Sequence, residues 1–204
     1  GAEGEGVGTS LKHFAVNNQE TLRMSVSAEV DERALHELYL RPFEIAVKEG
    51  APSTVMCSYN RINGVYASEN RMLLTRILRE QWGFDGLVMS DWGAVYRRPA
   101  GVAAGLDLEM PSSGGVTDRE IVRAVRAGRL DEAALDALCA RVLRLALAHA
   151  PQRKKAYPAP VHNVEAVRRM LDRHHALAVR AARESAVLLK NEGRVLPLAP
   201  DAKA

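Results

Sequence analysis

GFDGLVMSDWGAV, Gly83 to Val95, carries an apolar run, Gly86 to Ser90, straight into an aspartate and a tryptophan. A short apolar run bounded by turn residues reads as a strand buried inside a domain. A carboxylate at its end can cap a helix, pair with a cation, or do chemistry. Because Gly93-Ala94-Val95 could open a helix, the pattern alone leaves the cap and the chemical reading of Asp91 level.

Working outward, the same design recurs. SLKHFAVNN (Ser10 to Asn18) and TVMCSYN (Thr54 to Asn60) are apolar strands ending in polar residues, and GLDLEMP (Gly105 to Pro111) is a weaker one stopped by proline. Helix signals separate them. Asp31 is placed to cap a helix that stops at Gly50, with a kink at Pro42. Ser68 is placed to cap another carrying Leu73, Leu74, Ile77 and Leu78 at helical spacing, closed by Gly83. Parallel strands need a crossover, which a helix supplies, so this alternation specifies an α/β fold with a parallel sheet.

Beyond Pro111 the pattern predicts only helices: Asp118 to Ala127, stopped by Gly128, and Asp131 to about Ala150. APQRKKAYPAP (Ala150 to Pro160) has the composition of a linker, and Asn163 is placed to cap a helix through about Arg183. AVLLKNEGRVLPL (Ala186 to Leu198) then reads as a strand, a turn at Asn191 to Gly193 and a second apolar run, the start of a new domain.

Composition narrows the function classes. The chain has 204 residues, 47% hydrophobic and 26% charged, as in an ordinary globular protein. Its net charge of +3 comes from scattered arginines without a run of like charges, which argues against a nucleic-acid partner. It has neither an 18-residue apolar segment nor a basic-then-apolar leader, so a soluble protein, cytoplasmic or secreted, is expected, with no membrane partner. Opening at GAEGEGVGTS without an initiator Met, it reads as an excised piece. Those glycines precede a strand and lack a following Lys-Ser/Thr, so they fit a flexible loop and no phosphate motif. Cys57 and Cys139 form no metal or disulfide spacing and read as buried thiols; no metal or cofactor is called for.

In α/β barrels and open sheets, ligands bind at the carboxyl ends of strands. Lys12, His13, Tyr59, Asp91 and Trp92 fall there. Cations and imidazoles bond hydroxyls while an indole face stacks on a pyranose, so the set suits a sugar. Singly, each has a plainer use: His13 as a core histidine, Lys12 as a solvated charge, Tyr59 as a half-buried ring, Met56 as packing.

Four blocks carry a specific resemblance: KHFAVNNQE (Lys12 to Glu20), VMCSYNRING (Val55 to Gly64), LREQWGFDGLVMSDW (Leu78 to Trp92) and ESAVLLKNEGRVLPL (Glu184 to Leu198). In order and approximate spacing they resemble glycoside hydrolase family 3, in its β-glucosidase-like branch. The resemblance implies that Asp91 is the nucleophile of a retaining hydrolase acting on a β-glucoside or oligosaccharide. It further implies that Lys12 and His13 bind sugar hydroxyls, Arg23 supports them, Tyr59 lies beside the nucleophile, and Met56 and Trp92 wall the site. The N-acetylglucosaminide branch follows its KHF with Pro-Gly-His; Ala15-Val16-Asn17 stand there in this chain.

By the same resemblance, residues 1–115 are the C-terminal half of a (β/α)8 barrel, 116–162 a helical segment and linker, and 163–204 the start of an α/β sandwich domain. The acid/base glutamate is then expected beyond residue 204, and Glu69, Glu109 and Glu184 are not assigned that role. The isolated piece is expected to be inactive. Two rival readings stand beside this one: a non-catalytic carbohydrate-binding or interaction fragment, and a barrel lyase or aldolase forming a Schiff base on Lys12.

Overall fold

The computed structural model describes residues 7–156 and 164–198. The chain divides into two units, one ending at Lys155 and one beginning at Ala156. The first is an α/β structure, as the alternating pattern requires.

Its main sheet holds three parallel strands, β1 (Ser10–Phe14), β3 (Thr54–Cys57) and β6 (Leu87–Ser90), in the order β1-β3-β6. Val55 pairs with Val88 and Cys57 with Ser90 in an unbroken register. The weak fourth segment contributes one parallel bridge, Leu108 to Met89, and not a full strand. Three short pieces, β2 (Ser27–Ala28), β4 (Arg61–Ile62) and β5 (Val65–Tyr66), make a second small sheet in the loops beyond β1 and β3.

The crossovers are helical. Between β1 and β3 run α1 (Glu32–Ala34), a wide π-helical stretch Leu35–Leu40, and α2 (Arg41–Gly50). Asp31 caps this series through Oδ1, which accepts from Ala34 N at 2.9 Å. Pro42 stands in the first turn of α2, where the π-helical stretch gives way to α-helix, so it marks a change of helical pitch. Between β3 and β6 a π-helical segment, Met72–Gln81, buries Leu73, Leu74, Ile77 and Leu78. Gly83 closes it with φ +75°, a conformation that favours glycine. The Ser68 cap is corrected: Ser68 lies in a 3-10 turn, Ala67–Glu69, with its buried Oγ unpaired, and Asn70 Oδ1 accepts from Leu73 N at 3.1 Å instead.

One face of the sheet, with Phe14, Val55, Cys57 and Val88, packs on these helices against Leu40, Val47, Leu74, Ile77 and Trp82. Phe14 is fully buried, its ring 5.1 Å from Phe43 edge-on and 5.8 Å from Trp82. Burial of such a ring contributes roughly 1.5–3 kcal/mol. After β6 come α3 (Arg98–Ala104), α4 (Val116–Arg126) and α5 (Glu132–Ala156), which share a smaller core of Val102, Ile121, Ala124, Leu130 and Leu138.

Several expected boundaries move. β1 ends at Phe14 because the next carbonyl, Ala15 O, accepts from the side chains of Ser58 and Asn60 rather than from a strand. α5 continues to Ala156, into the expected linker, whose Gln-Arg-Lys-Lys run favours helix; residues 157–163, with the expected cap Asn163, and 1–6 lie outside the described residues. In the second unit α6 (Val164–Ser185) has no buried residue. The strand expected after it does not form: Val187, Leu188 and Leu189 are 76%, 61% and 91% exposed, and a strand needs a partner that the described residues do not supply. The turn does form, bracketed by Asn191, whose amide bonds both N and O of Leu196.

Candidate active site

The site is built where β1, β3 and β6 end side by side. Asp91 N donates to Cys57 O at 3.2 Å and Ser58 N to Phe14 O at 2.8 Å, so the three strand ends are stapled in line. Asp91 is not a helix cap. Its carbonyl accepts from Ala94 N at 3.0 Å in a tight turn, and α3 begins only at Arg98. Its Oδ1 accepts from Trp92 N at 2.7 Å, while Oδ2 stands 3.5 Å from His13 Nε2. The turn leaves 12% of the Asp91 side chain exposed, enough for a reacting atom to reach it.

Tyr59 reaches the same carboxylate. Burial pushes its hydroxyl above the usual phenol value and the Asp91 charge pushes it further, with Arg23 opposing. The Arg23 guanidinium lies 4.9 Å from the centre of the Tyr59 ring and pairs with Glu20 at 3.2 Å. His13, Arg23, Tyr59, Asp91 and Trp92 thus form one cluster. Trp92 is 52% exposed, its indole available as a stacking surface. Met56 is buried on β3 opposite Met89, and by strand alternation lies on the face away from the Cys57 core. Lys12 is exposed and, among the described residues, no ion pair joins it to Asp91. With His13, Asn17, Tyr39 and others it lines a cavity of about 360 Å³.

The cysteines differ. Burial pushes the Cys57 thiol up to about 12, as a core position implies, but Cys139 is exposed on α5, contrary to expectation. Glu69 is held by Arg97 through Nε, Nη2 and the backbone N; Glu109 accepts from Thr117 and lies 3.9 Å from Arg98; Glu184 pairs with Arg180. Each thus has another partner. A larger cavity, about 490 Å³, lies apart from the cluster between Glu109, Ser113 and the α4–α5 helices.

Two features had no signal in the sequence. Asp107, fully buried, accepts from Arg79 at 2.7 Å, Arg141 at 2.8 Å and Val88 N at 2.7 Å. Tyr66 and Tyr96 stack with centroids 3.6 Å apart. Among the described residues no group of three or more His, Cys, Asp or Glu could hold a metal ion, and no helix is long and apolar enough to cross a membrane.

An α/β fold with a carboxylate, an imidazole and a phenol converging at parallel strand ends defines a class, and comparison with known proteins identifies the family. Residues 1–145 match the glycosyl hydrolase family 3 N terminal domain, and the chain belongs to that family. It is 50% identical over 198 residues to thermostable beta-glucosidase B of Acetivibrio thermocellus, covering 97% of this chain and 25% of that protein. An exo-alpha-(1->6)-L-arabinopyranosidase of Bifidobacterium longum is 49% identical, with the same coverage. Among solved structures, beta-glucosidase 3B of Thermotoga neapolitana in complex with alpha-D-glucose superposes with a TM-score of 0.82 at 40% identity, over 98% of this chain and 28% of that one. The chain spans about a quarter of the length of these curated relatives.

Proposed function

We propose that this chain is part of a β-glucosidase-type O-glycosyl hydrolase that retains anomeric configuration through a covalent glycosyl-Asp91 intermediate. One observation carries the reading: the Asp91 carboxylate stands at a strand end, partly open, with His13 at 3.5 Å and the Tyr59 hydroxyl bonded to it. The named activities of relatives at 40–50% identity support the same chemistry.

In this mechanism a ring oxygen-stabilised cation develops at C1 while Asp91 approaches it. An Asp91 oxygen forms the ester bond to C1 as the bond from C1 to the leaving oxygen breaks. A general acid protonates that oxygen. Water then attacks C1, gives its proton to the same group, now a base, and frees both sugar and carboxylate. His13, with Lys12 beside it on β1, bonds sugar hydroxyls and holds the ring as it flattens. Arg23 supports that network, Trp92 stacks on the sugar, and Met56 forms part of the wall. The substrate is a β-glucoside or related oligosaccharide, and the glucose complex of the Thermotoga protein supports a hexose in the site.

Along the chain, residues 1–115 are read as the C-terminal half of a (β/α)8 barrel, 116–162 as helical segment and linker, and 163–204 as the start of an α/β sandwich domain. The general acid comes from a part of the protein outside this chain, a reading supported by the other partners of Glu69, Glu109 and Glu184. The isolated chain is accordingly inactive.

The test uses the longer protein containing this chain, an aryl β-glucoside, and a fluorinated glycoside whose glycosyl-enzyme turns over slowly. Turnover with the label on Asp91, and a loss of about 1,000-fold or more in kcat for Asp91→Asn with sugar binding retained, is the expected result. Sugar binding without turnover or label would instead make the chain part of a binding module. Borohydride trapping on Lys12 would make it a Schiff-base enzyme.

A further inference from the structure

Arg23 sits on an exposed turn, yet three consecutive carbonyls of that turn are held from outside it. Met24 O accepts from the Tyr96 hydroxyl, Ser25 O from Arg61 Nη1 at 3.4 Å, and Val26 O from Arg61 N at 2.9 Å. The two donors are themselves joined through Tyr66. Arg61 Nη2 donates to the Tyr66 hydroxyl at 2.9 Å and its guanidinium lies 4.4 Å from the Tyr66 ring centre. The Tyr66 ring also stacks on Tyr96 with planes 15° apart. Tyr96 follows Asp91 by five residues in one loop, whereas Arg61 and Tyr66 come from the small second sheet.

We propose that Tyr96, braced by Tyr66 and Arg61, is a positioning residue that locks the Arg23 turn to the Asp91 loop and so sets Arg23 over Tyr59. The inference rests on the glycosidase reading above for its kinetic consequence, but its structural content does not. Turn residues 22–26 otherwise bond mainly within themselves, Ser25 N and Val26 N both donating to Leu22 O at 2.8 Å. Without the brace nothing described fixes the turn at Met24. Burial, and then the neighbouring Tyr66 phenol, push the Tyr96 hydroxyl up to about 12, so it keeps its proton and donates throughout the neutral range. Arg23 is the residue that gains. Its reach to a sugar depends on where the turn puts its Cα, and a misplacement of about 1 Å is costly in an active site.

The experiment compares Tyr96→Phe, Arg23→Ala and the double variant in the longer protein, reading kcat and KM on an aryl β-glucoside and the rate of native tryptic cleavage after Arg23. Tyr96→Phe keeps the ring stack and removes one donor. It is expected to raise KM about five-fold with kcat within about two-fold, and to speed cleavage after Arg23 several-fold. In the Arg23→Ala background the same change should move KM by less than about two-fold, because the effect runs through Arg23. Unchanged KM with unchanged cleavage overturns the proposal, as does full additivity in the double variant. If the unaltered protein has no glycosidase activity the function reading falls, and the cleavage rates alone decide the brace: unchanged cleavage overturns it.

Discussion

His13 Nε2 lies 3.5 Å from Asp91 Oδ2, although the strands carrying them are separated by β3. The contact bridges the end of the middle strand, and the backbone bonds from Asp91 N to Cys57 O and from Ser58 N to Phe14 O fix its span. On the proposed function, His13 would meet sugar and carboxylate from one position. Removing the imidazole would take away both that close electrostatic contact and any hydrogen bond it makes to a sugar hydroxyl in the proposed transition state. His13→Ala in the longer protein should lower kcat/KM by about 10–100-fold. Steady-state kinetics on an aryl β-glucoside checks this, and a change below about two-fold would remove His13 from the site.

Tyr59 keeps its proton beside Asp91. Burial and the adjacent carboxylate both disfavour the phenolate, so its pKa lies above the ordinary phenol value and the neutral hydroxyl persists through any working pH below that value. Tyr59→Phe should lower kcat/KM about ten-fold through loss of a donor near the Asp91 carboxylate, yet leave both limbs of the pH profile between about pH 4 and 9 in place. A profile whose alkaline limb vanished in Tyr59→Phe would mean that Tyr59 titrates in that range.

Asp107 ties three elements together. Its carboxylate accepts from Arg79 of the Met72–Gln81 helix, Arg141 of α5 and the β6 backbone at Val88, with no exposure of its own. Removing one partner from a buried ion network leaves charges uncompensated and costs about 3–5 kcal/mol. Asp107→Ala should lower the denaturation midpoint accordingly, and Arg141→Ala by less, since Arg79 still pairs. Equal midpoints for the two variants and the unaltered protein would show that the network adds no net stability.

What the sequence disclosed follows interaction range. The α/β class, the Asp31 cap, the Gly83 stop and the strand-end placement of His13, Tyr59 and Asp91 depend on period and on residues a few positions apart. The Asp107 network joins residues up to 34 positions apart, and the Tyr96 bond to Met24 spans 72, so neither leaves a local mark. The strand expected at Ala186 to Lys190 had the right composition, but strand formation depends on a partner and not on composition alone. Cys139 is exposed rather than buried for a related reason: which face of a helix is covered is a tertiary property. The family resemblance supplied what pattern could not, namely a chemical role for Asp91 beyond the cap.

The misassigned cap gives a test between neighbours. Ser68 and Asn70 are both buried polar residues before the same helix, and residue preference at an N-terminus does not separate them. Geometry does. Asn70 Oδ1 accepts from Leu73 N at 3.1 Å and its carbonyl accepts from Leu74 N at 2.9 Å, whereas Ser68 Oγ has no partner among the described residues. Asn70→Ala deletes the side-chain acceptor and leaves a buried N–H unmatched, at a cost of about 1–2 kcal/mol. Ser68→Ala removes an unpaired hydroxyl and leaves stability within about 0.5 kcal/mol or slightly raised. Denaturant titration of both variants checks the order, and a larger loss for Ser68→Ala would return the cap to Ser68.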